Sequence, residues 1–413
     1  VTYRKFAGHY LFTGQEMAGP DTVLITTAEG IVQSLVPVVE AGEDIQYYPG
    51  LICPGFINCH CHLELSHMKG VLPEGSGLID FLLGVLWQRN QPADTAKSAT
   101  FPAPGAAVPA DRTALLAAAE QSMLDAGIVA VGDICNTTDT LPVKTAGRLF
   151  YHNFIEAMGF IESSAPDRLA QSLQVFQAFA EAYTLPIEAN SLVPHAPYSV
   201  SPRLFEGITG FPGNHLLTIH NQESAEENSF YLTGTGDFLR LYQALGLDVS
   251  FFRGTGRRSL ASYLPYFYRN QHLLLVHNVA TTQEDLEDWA ALPTYRRPDL
   301  YWCLCPNANL YIGGQLPDVE LLAGSGLPVV IGTDSLASNH QLSILEEIKV
   351  LQRAVPQLPT STLLRWATYN GAEALQLDSI LGSFTPGKQP GVLLLENMEN
   401  DRFTAGTTVQ RLL

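Results

Sequence analysis

The sequence predicts an α/β protein: a (β/α)8 barrel of the TIM type, with a small β-sandwich domain built from both chain ends. Three observations carry that prediction. Eight short apolar runs recur through the middle of the chain, helical or loop sequence separates them, and strand-like stretches broken by turn residues stand at both ends. A length of 413 residues suits such a barrel with an appended sheet.

At the N-terminal end, the segments 3–12, 22–26 and 30–39 read as short strands. At the other end, the turn-rich stretch 382–388 precedes the strand-like segment 392–396. These ends are assigned to one small domain, residues 1–53 with 381–413, and residues 54–380 to the barrel. The eight apolar runs are 51–58, 127–134, 149–157, 188–194, 215–219, 272–276, 300–304 and 328–332. The interval 111–126 shows why the connections read as helices: Leu115, Leu116, Ala119, Met123 and Leu124 share a face, and Gly127 follows as a stop. Leu342, Leu345, Ile348 and Leu351 form a second such stripe. Strands alternating with helices imply parallel βαβ units, and eight of them suggest closure.

Composition excludes several kinds of partner. Hydrophobic residues make up 46% and charged residues 15%, which argues against disorder, and no apolar run approaches the length of a membrane span. A net charge of −18 with scattered basic residues argues against a nucleic-acid polymer as partner. Cys53, Cys59, Cys61, Cys135, Cys303 and Cys305 lie mostly inside apolar runs, unlike a disulfide framework, and nothing resembles a secretory leader. The expectation is a cytoplasmic protein acting on a small molecule, with neither a nucleic acid nor a membrane as partner. A homodimer is one assembly open to it.

The strongest local signal is the segment 54–64, Pro-Gly-Phe-Ile-Asn-Cys-His-Cys-His-Leu-Glu. On a strand, positions i and i+2 share a face, so His60 and His62 can converge on one ion while Cys59 and Cys61 point away. Polar residues recur at later strand ends: His195, His220, His277 and Asp334. In a β/α barrel these ends meet at one mouth. Five histidines and an aspartate there are hard to ascribe to packing, since each buried unpaired polar group costs roughly 1 to 3 kcal/mol. Glu223 follows His220 by three residues, where a proton shuttle for a metal-activated water would stand.

Taken together, these motifs resemble the amidohydrolase superfamily, in its deaminase and chlorohydrolase branch. The resemblance spans nearly the whole chain, through 54–62, Pro-His-Ala-Pro-Tyr-Ser at 194–199, His-Asn-Gln-Glu at 220–223, Val-His-Asn at 276–278, Cys-Pro-Asn-Ala-Asn at 305–309, Gly-Thr-Asp-Ser at 332–335 and the tail 382–388. It implies that His60, His62, His220 and Asp334 hold a single divalent ion, zinc or alternatively iron. Glu223 would then shuttle protons, His277 orient the attacking hydroxide, Asp334 relay a proton, and His195 contact substrate. Two-metal members use a lysine on the fourth strand, and 188–194 contains none. Ala308 stands where the family has a serine, a departure at the pocket edge, while Asn309 is retained as a candidate substrate contact. After the tail Gly-Lys, residues 389–391 read Gln-Pro-Gly in place of the usual acidic dipeptide region, a departure that concerns the small sheet and not the chemistry.

The resemblance further implies an aminohydrolase of a heterocyclic base, foremost the adenine ring of adenosine, methylthioadenosine, S-adenosylhomocysteine or aminodeoxyfutalosine. The stretch His-Leu-Glu-Leu-Ser at 62–66 resembles the aminodeoxyfutalosine deaminases most. The alternatives are a chlorohydrolase, a cyclic-amide hydrolase, a deaminase of guanine- or cytosine-type rings and, last, a non-catalytic assembly relative, which would normally have lost ligands. Glu64 is a candidate ribose or ring contact, equally readable as a loop carboxylate, and Trp87 a candidate stacking wall. Arg253, Arg257 and Arg258 could bind a substrate carboxylate, but a solvated surface is the stronger reading.

Overall fold

The computed structural model describes residues 2–89, 110–182 and 189–413. Strands β1 (Tyr3–Leu11), β2 (Thr22–Thr27), β3 (Val32–Pro37) and β4 (Gln46–Cys53) lie at the N-terminal end. Then come β5 (Phe56–Cys61), β6 (Ile128–Cys135), β7 (Phe150–Ala157), β8 (Asn190–Pro194), β9 (Leu216–Asn221), β10 (His272–His277), β11 (Asp299–Leu304) and β12 (Val329–Ile331). Strands β13 (Leu393–Glu396) and β14 (Thr408–Arg411) end the series.

The chain ends build one six-stranded sheet in the order β14-β13-β4-β1-β2-β3. Between them lie two four-stranded sheets, β5-β6-β7-β8 and β12-β11-β10-β9, whose strand pairs all run parallel. Every residue of β5 and β6 is buried, as expected of parallel strands covered on both faces. The two parallel sheets touch at both outer edges. At one seam the His220 amide donates to the His195 carbonyl (3.0 Å). At the other, the Thr333 and Asp334 amides donate to the His60 carbonyl (each 3.0 Å), and Cys61 and Asp334 form a parallel bridge.

The expected run 51–58 is cut in two. Pro54 has no amide hydrogen to extend a ladder, and Gly55 passes so close to Val129 that a Cβ would sit 2.3 Å from its Cγ1. One half therefore belongs to the end sheet as β4 and the other opens the parallel sheet as β5. The helix expected over 111–126 spans Ala110–Asp125, with Leu116, Ala119 and Met123 buried. Leu115 is a correction, being 48% exposed: it precedes Leu116 by one residue, about 100° around the helix, and falls off the stripe. The second stripe forms Ile344–Ala354, capped by Ser343, whose hydroxyl accepts from the Glu346 amide. Among the described residues no helix is long and apolar enough to cross a membrane.

Candidate active site

Residues at the C-terminal ends of the parallel strands converge, because all eight strands point the same way. His60 lies on β5 and His62 just beyond it, across a register shift between Asn58 and Cys61. His220 lies on β9, and Asp334 follows β12. Nε2 of His62 is 3.2 Å from Nε2 of His60 and 3.2 Å from Nε2 of His220, while Oδ1 of Asp334 is 3.5 Å from both His60 and His62. All four residues are buried. One ring nitrogen carries a single hydrogen or a single lone pair, so hydrogen bonds alone cannot satisfy this group. The spacing suits a tetrahedral ion, whose ligands at about 2.0 to 2.1 Å stand roughly 3.3 Å apart.

Outer contacts fix the orientation of these donors. His220 Nδ1 lies 2.7 Å from the His195 carbonyl, which sets it as the N–H and turns the Nε2 lone pair to the cluster. The Ser338 hydroxyl donates to Asp334 Oδ2 at 2.6 Å. His60 Nδ1 has no hydrogen-bond partner, so packing holds this ring. A Cβ on Gly332 would stand 2.7 Å from His60 Cβ, and only glycine leaves that room. Cys59 and Cys61 are buried in the apolar core and join none of the groups able to hold an ion among the described residues.

Glu223 and His277 face one another beside the cluster, with Oε1 3.6 Å from Nε2. The Asn309 side-chain amide is 3.0 Å from His277 Nδ1, so Nδ1 accepts and Nε2 carries the hydrogen. Burial pushes the His277 pKa well down and keeps the ring neutral. Burial, with the charges of Asp334 and Glu227, raises Glu223 well above the usual carboxylate range. Burial would also raise Asp334, but the His60 hydrogen bond and the neighbouring histidines outweigh it and hold this carboxyl well below that range. Gln222, His277, Asn278 and Asp334 all have positive φ (45°, 76°, 63° and 56°), so sharp left-handed turns end three of the strands that carry the site.

The remaining expectations divide. His195 lines the cavity; its Nδ1 is 2.8 Å from Ser199 Oγ, which itself donates to the Ala196 carbonyl, leaving Nε2 as the acceptor nitrogen. Asn309, a candidate substrate contact, is buried and spends its side-chain amide on His277. Glu64 is buried with Oε2 accepting from the Asn136 amide (3.0 Å) and the Thr137 amide (3.2 Å), so it holds the loop after β6. Trp87 is 62% exposed, and its helix Leu78–Arg89 turns Leu82 and Val85 to the cavity instead. Of the arginines, Arg253 is exposed, Arg257 pairs with Asp288 at 3.4 Å, and Arg258 pairs with buried Asp285 at 2.8 Å. Glu156 on β7 was not foreseen; a ligand atom of it lies within 4.8 Å of ones on His195 and His220, and it lines the cavity. Its position next to the last residue of β7 was the available signal.

The model of the amidohydrolase family matches residues 51–409, and the chain belongs to that family. It is accordingly a hydrolase acting on carbon–nitrogen bonds other than peptide bonds. The chain is 24% identical over 394 residues to the aminodeoxyfutalosine deaminase of a Nitratiruptor species, covering 91% of this chain and 89% of that one. Among solved structures it is similar to Helicobacter pylori aminofutalosine deaminase in complex with methylthio-coformycin, with TM-score 0.77, 23% identity, and coverage of 97% and 93%. A zinc-bound adenosine deaminase from Xanthomonas campestris gives TM-score 0.69 at 20% identity, covering 95% and 84%. These likenesses show a fold of the TIM-barrel type.

Proposed function

We propose that this chain deaminates the adenine ring of a nucleoside-type substrate, using one divalent ion, zinc foremost, held by His60, His62, His220 and Asp334. The observation that carries the reading is the Glu223–His277 pair, 3.6 Å apart, standing beside a donor cluster spaced for a single ion. A bound ion would supply Lewis acidity that brings the pKa of water near 7. Glu223, with its raised pKa, takes up the proton of the attacking water and returns it to the ring nitrogen beside the amine-bearing carbon. Neutral His277 donates from Nε2 to the oxygen that becomes the product carbonyl. Asp334, ionised, receives a proton and passes it to the departing ammonia. His195 Nε2 accepts from the substrate on the far side.

The named relative supports an aminodeoxyfutalosine-like substrate. So does the cavity, which opens past His195 and Tyr198 into an apolar annex of about 350 Å³ walled by Leu86, Phe160, Leu241 and Leu245. Such an annex suits a nucleoside with an added arm beyond the ribose, the apolar methylthio group of methylthioadenosine or the carboxylated aryl arm of aminodeoxyfutalosine, whose charge would meet Arg168 on the same wall, better than adenosine itself. We also take the eight parallel strands to close into one barrel over residues 54–380, with residues 1–53 and 381–413 as a small β-sandwich domain. A cytoplasmic location accords with six free, buried cysteines.

The test is ammonia release from adenosine, methylthioadenosine, S-adenosylhomocysteine, aminodeoxyfutalosine, guanine and cytosine. An adenine-ring nucleoside with an added arm beyond the ribose, methylthioadenosine or aminodeoxyfutalosine, is expected to give the highest kcat/KM. Chloride release from a chlorotriazine or ring opening of a cyclic amide, with no ammonia from any purine, would overturn the reading.

A further inference from the structure

Two neighbouring residues of the segment 220–223 carry no part of the chemistry above, and both are fully buried. Asn221 bridges to the next strand end: its side-chain amide donates to Asn278 Oδ1 at 3.0 Å, and the Asn278 amide donates back to the Asn221 carbonyl at 3.0 Å. That contact already closes the ladder between β9 and β10. Beyond it lies a second, closed circuit. The Gln222 side-chain amide donates to Asp285 Oδ1 at 2.9 Å, and Asp285 accepts from Arg258 Nε at 3.0 Å and Nη2 at 2.8 Å. Arg258 Nη2 also donates to the Ala280 carbonyl at 2.7 Å, and the Ala280 amide returns to the Gln222 carbonyl at 2.8 Å.

The other polar atoms of Gln222 are engaged as well. Its Oε1 accepts from the Thr281 hydroxyl at 2.6 Å, its Nε2 also reaches Asn228 Oδ1 at 3.1 Å, and its main-chain amide donates to Glu227 Oε1 at 3.0 Å. Apart from the neighbouring Asn221 side-chain amide, which reaches Gln222 Oε1 at 3.4 Å, the partners lie in 227–228 or on the loop and helix after β10. A residue held at φ +45° needs surroundings that fix it there, and this circuit supplies them.

The two turns so joined carry the two groups that face one another across the site. Glu223 is the residue after Gln222, and His277 ends the strand from which the 278–281 turn departs. We infer that Gln222 is a positioning residue, with the Arg258–Asp285 pair as its anchor, and that this circuit sets the separation between the Glu223 carboxylate and the His277 imidazole. It touches none of the four proposed ion ligands through a side chain. The circuit therefore governs the proton-handling pair separately from the ion. The inference rests on the roles proposed above for Glu223 and His277.

The test compares Gln222→Met and Arg258→Met with Arg258→Lys, which keeps the charge at Asp285. Each protein is assayed for metal content, for folding by thermal melt, and for kcat, KM and pH profile with methylthioadenosine. Histidine-labelled protein also gives 15N spectra that need no substrate. The expected result is near-parental metal content, kcat lower by about tenfold or more with KM within a few fold, an altered pH profile, and a displaced His277 imidazole signal. Arg258→Lys should recover most of the loss. A folded, metal-loaded Gln222→Met protein with parental kcat and an unmoved His277 signal would overturn the inference, as would losses that simply follow metal content. If no adenine-ring compound releases ammonia, the functional reading fails, and the His277 signal still decides the positioning question.

Discussion

The two halves of the site are braced in different ways. Behind His60 and His62 sits a fully buried ion pair: Lys144 Nζ is 2.5 Å from Asp133 Oδ2, with Asn153 Oδ1 at 2.7 Å and the Cys135 sulfur at 3.2 Å. Asp133 Oδ1 accepts the Leu63 amide at 2.8 Å, which ties the pair to the residue after His62. Behind Glu223 and His277 the brace is mostly neutral amides and hydroxyls, and its one ion pair lies near the edge, the Arg258 side chain being 17% exposed. A charge cut off from water punishes loss of its partner, whereas a network of many weak partners tolerates single losses but shifts in geometry. The half proposed to hold the ion is thus braced for rigidity, and the half proposed to handle protons for alignment.

The largest effect is expected where both halves are needed. His60→Ala or Asp334→Ala should abolish turnover and metal retention, while Cys59→Ala and Cys61→Ala should keep close to one ion per chain by elemental analysis. Metal loss in a cysteine variant would put the thiols inside the ligand half and break the comparison. Next in size is Glu223→Gln, which should hold its ion and lose about 10² to 10⁴ in kcat. Near-parental turnover across pH would move the shuttle to another group, Asp334 first.

Removing the braces should separate the halves further. Lys144→Met leaves Asp133 buried without its cation and should cost about 3 to 5 kcal/mol in urea unfolding. Arg258→Met should cost about 1 to 3 kcal/mol, since Asp285 keeps its bonds from Gln222 and Thr282. Equal losses would mean that the two braces are alike.

The smallest effects are in pH, and the halves should respond in opposite directions. His152 on β7, beside Lys144's partner Asn153, is depressed to about 3 by burial and the Lys144 charge. Its folded pKa lies below the unfolded value of about 6.5, so its contribution holds above that pH and is lost as pH falls towards 3. Glu227, in the network around Gln222, is raised by burial to about 7. Its contribution is complete below the unfolded value of about 4.3 and is lost as pH rises through 7. Each slope approaches roughly 1.4 kcal/mol per pH unit within its window. Unfolding free energies from pH 3 to 9 should show Glu227→Gln flattening the upper limb, to which raised Glu223 and Glu347 also contribute, without changing the lower limb; an upper limb unchanged in that variant would refute the Glu227 assignment.

How far the sequence could be read follows from which signals are periodic. Strand ends are marked by where an apolar run stops, so His60, His62, His195, His220, His277 and Asp334 could be placed together from the sequence. The domain boundary could be set after Cys53, but the strand reading ran across it because Leu51 and Phe56 belong to one continuous apolar run; the close packing of Gly55 on Val129 divides that run into two strands. Strand β14 was missed because Thr408–Arg411 alternates between exposed and half-buried and has no apolar run. Trp87 and Glu64 were placed by chemistry without a direction. A helix face sends Trp87 to solvent, and the amides of Asn136 and Thr137 claim Glu64 for a loop. The role of Arg258 could not be read because its partner Asp285 is 27 residues away and unmarked by any motif.

The end sheet also fixes an order of assembly. Strand β4 pairs with β1 on one side and with β13 on the other, where Leu393 lies opposite Cys53. Cys53 is two residues from Gly55, and β5 with its His60 follows directly. While the chain is being made from its N-terminus, β4 keeps an open edge until some 340 further residues have emerged, and an open edge is a template for wrong pairing. The strand just before the one that carries His60 therefore waits, half-supported, for a strand some 340 residues further along the chain.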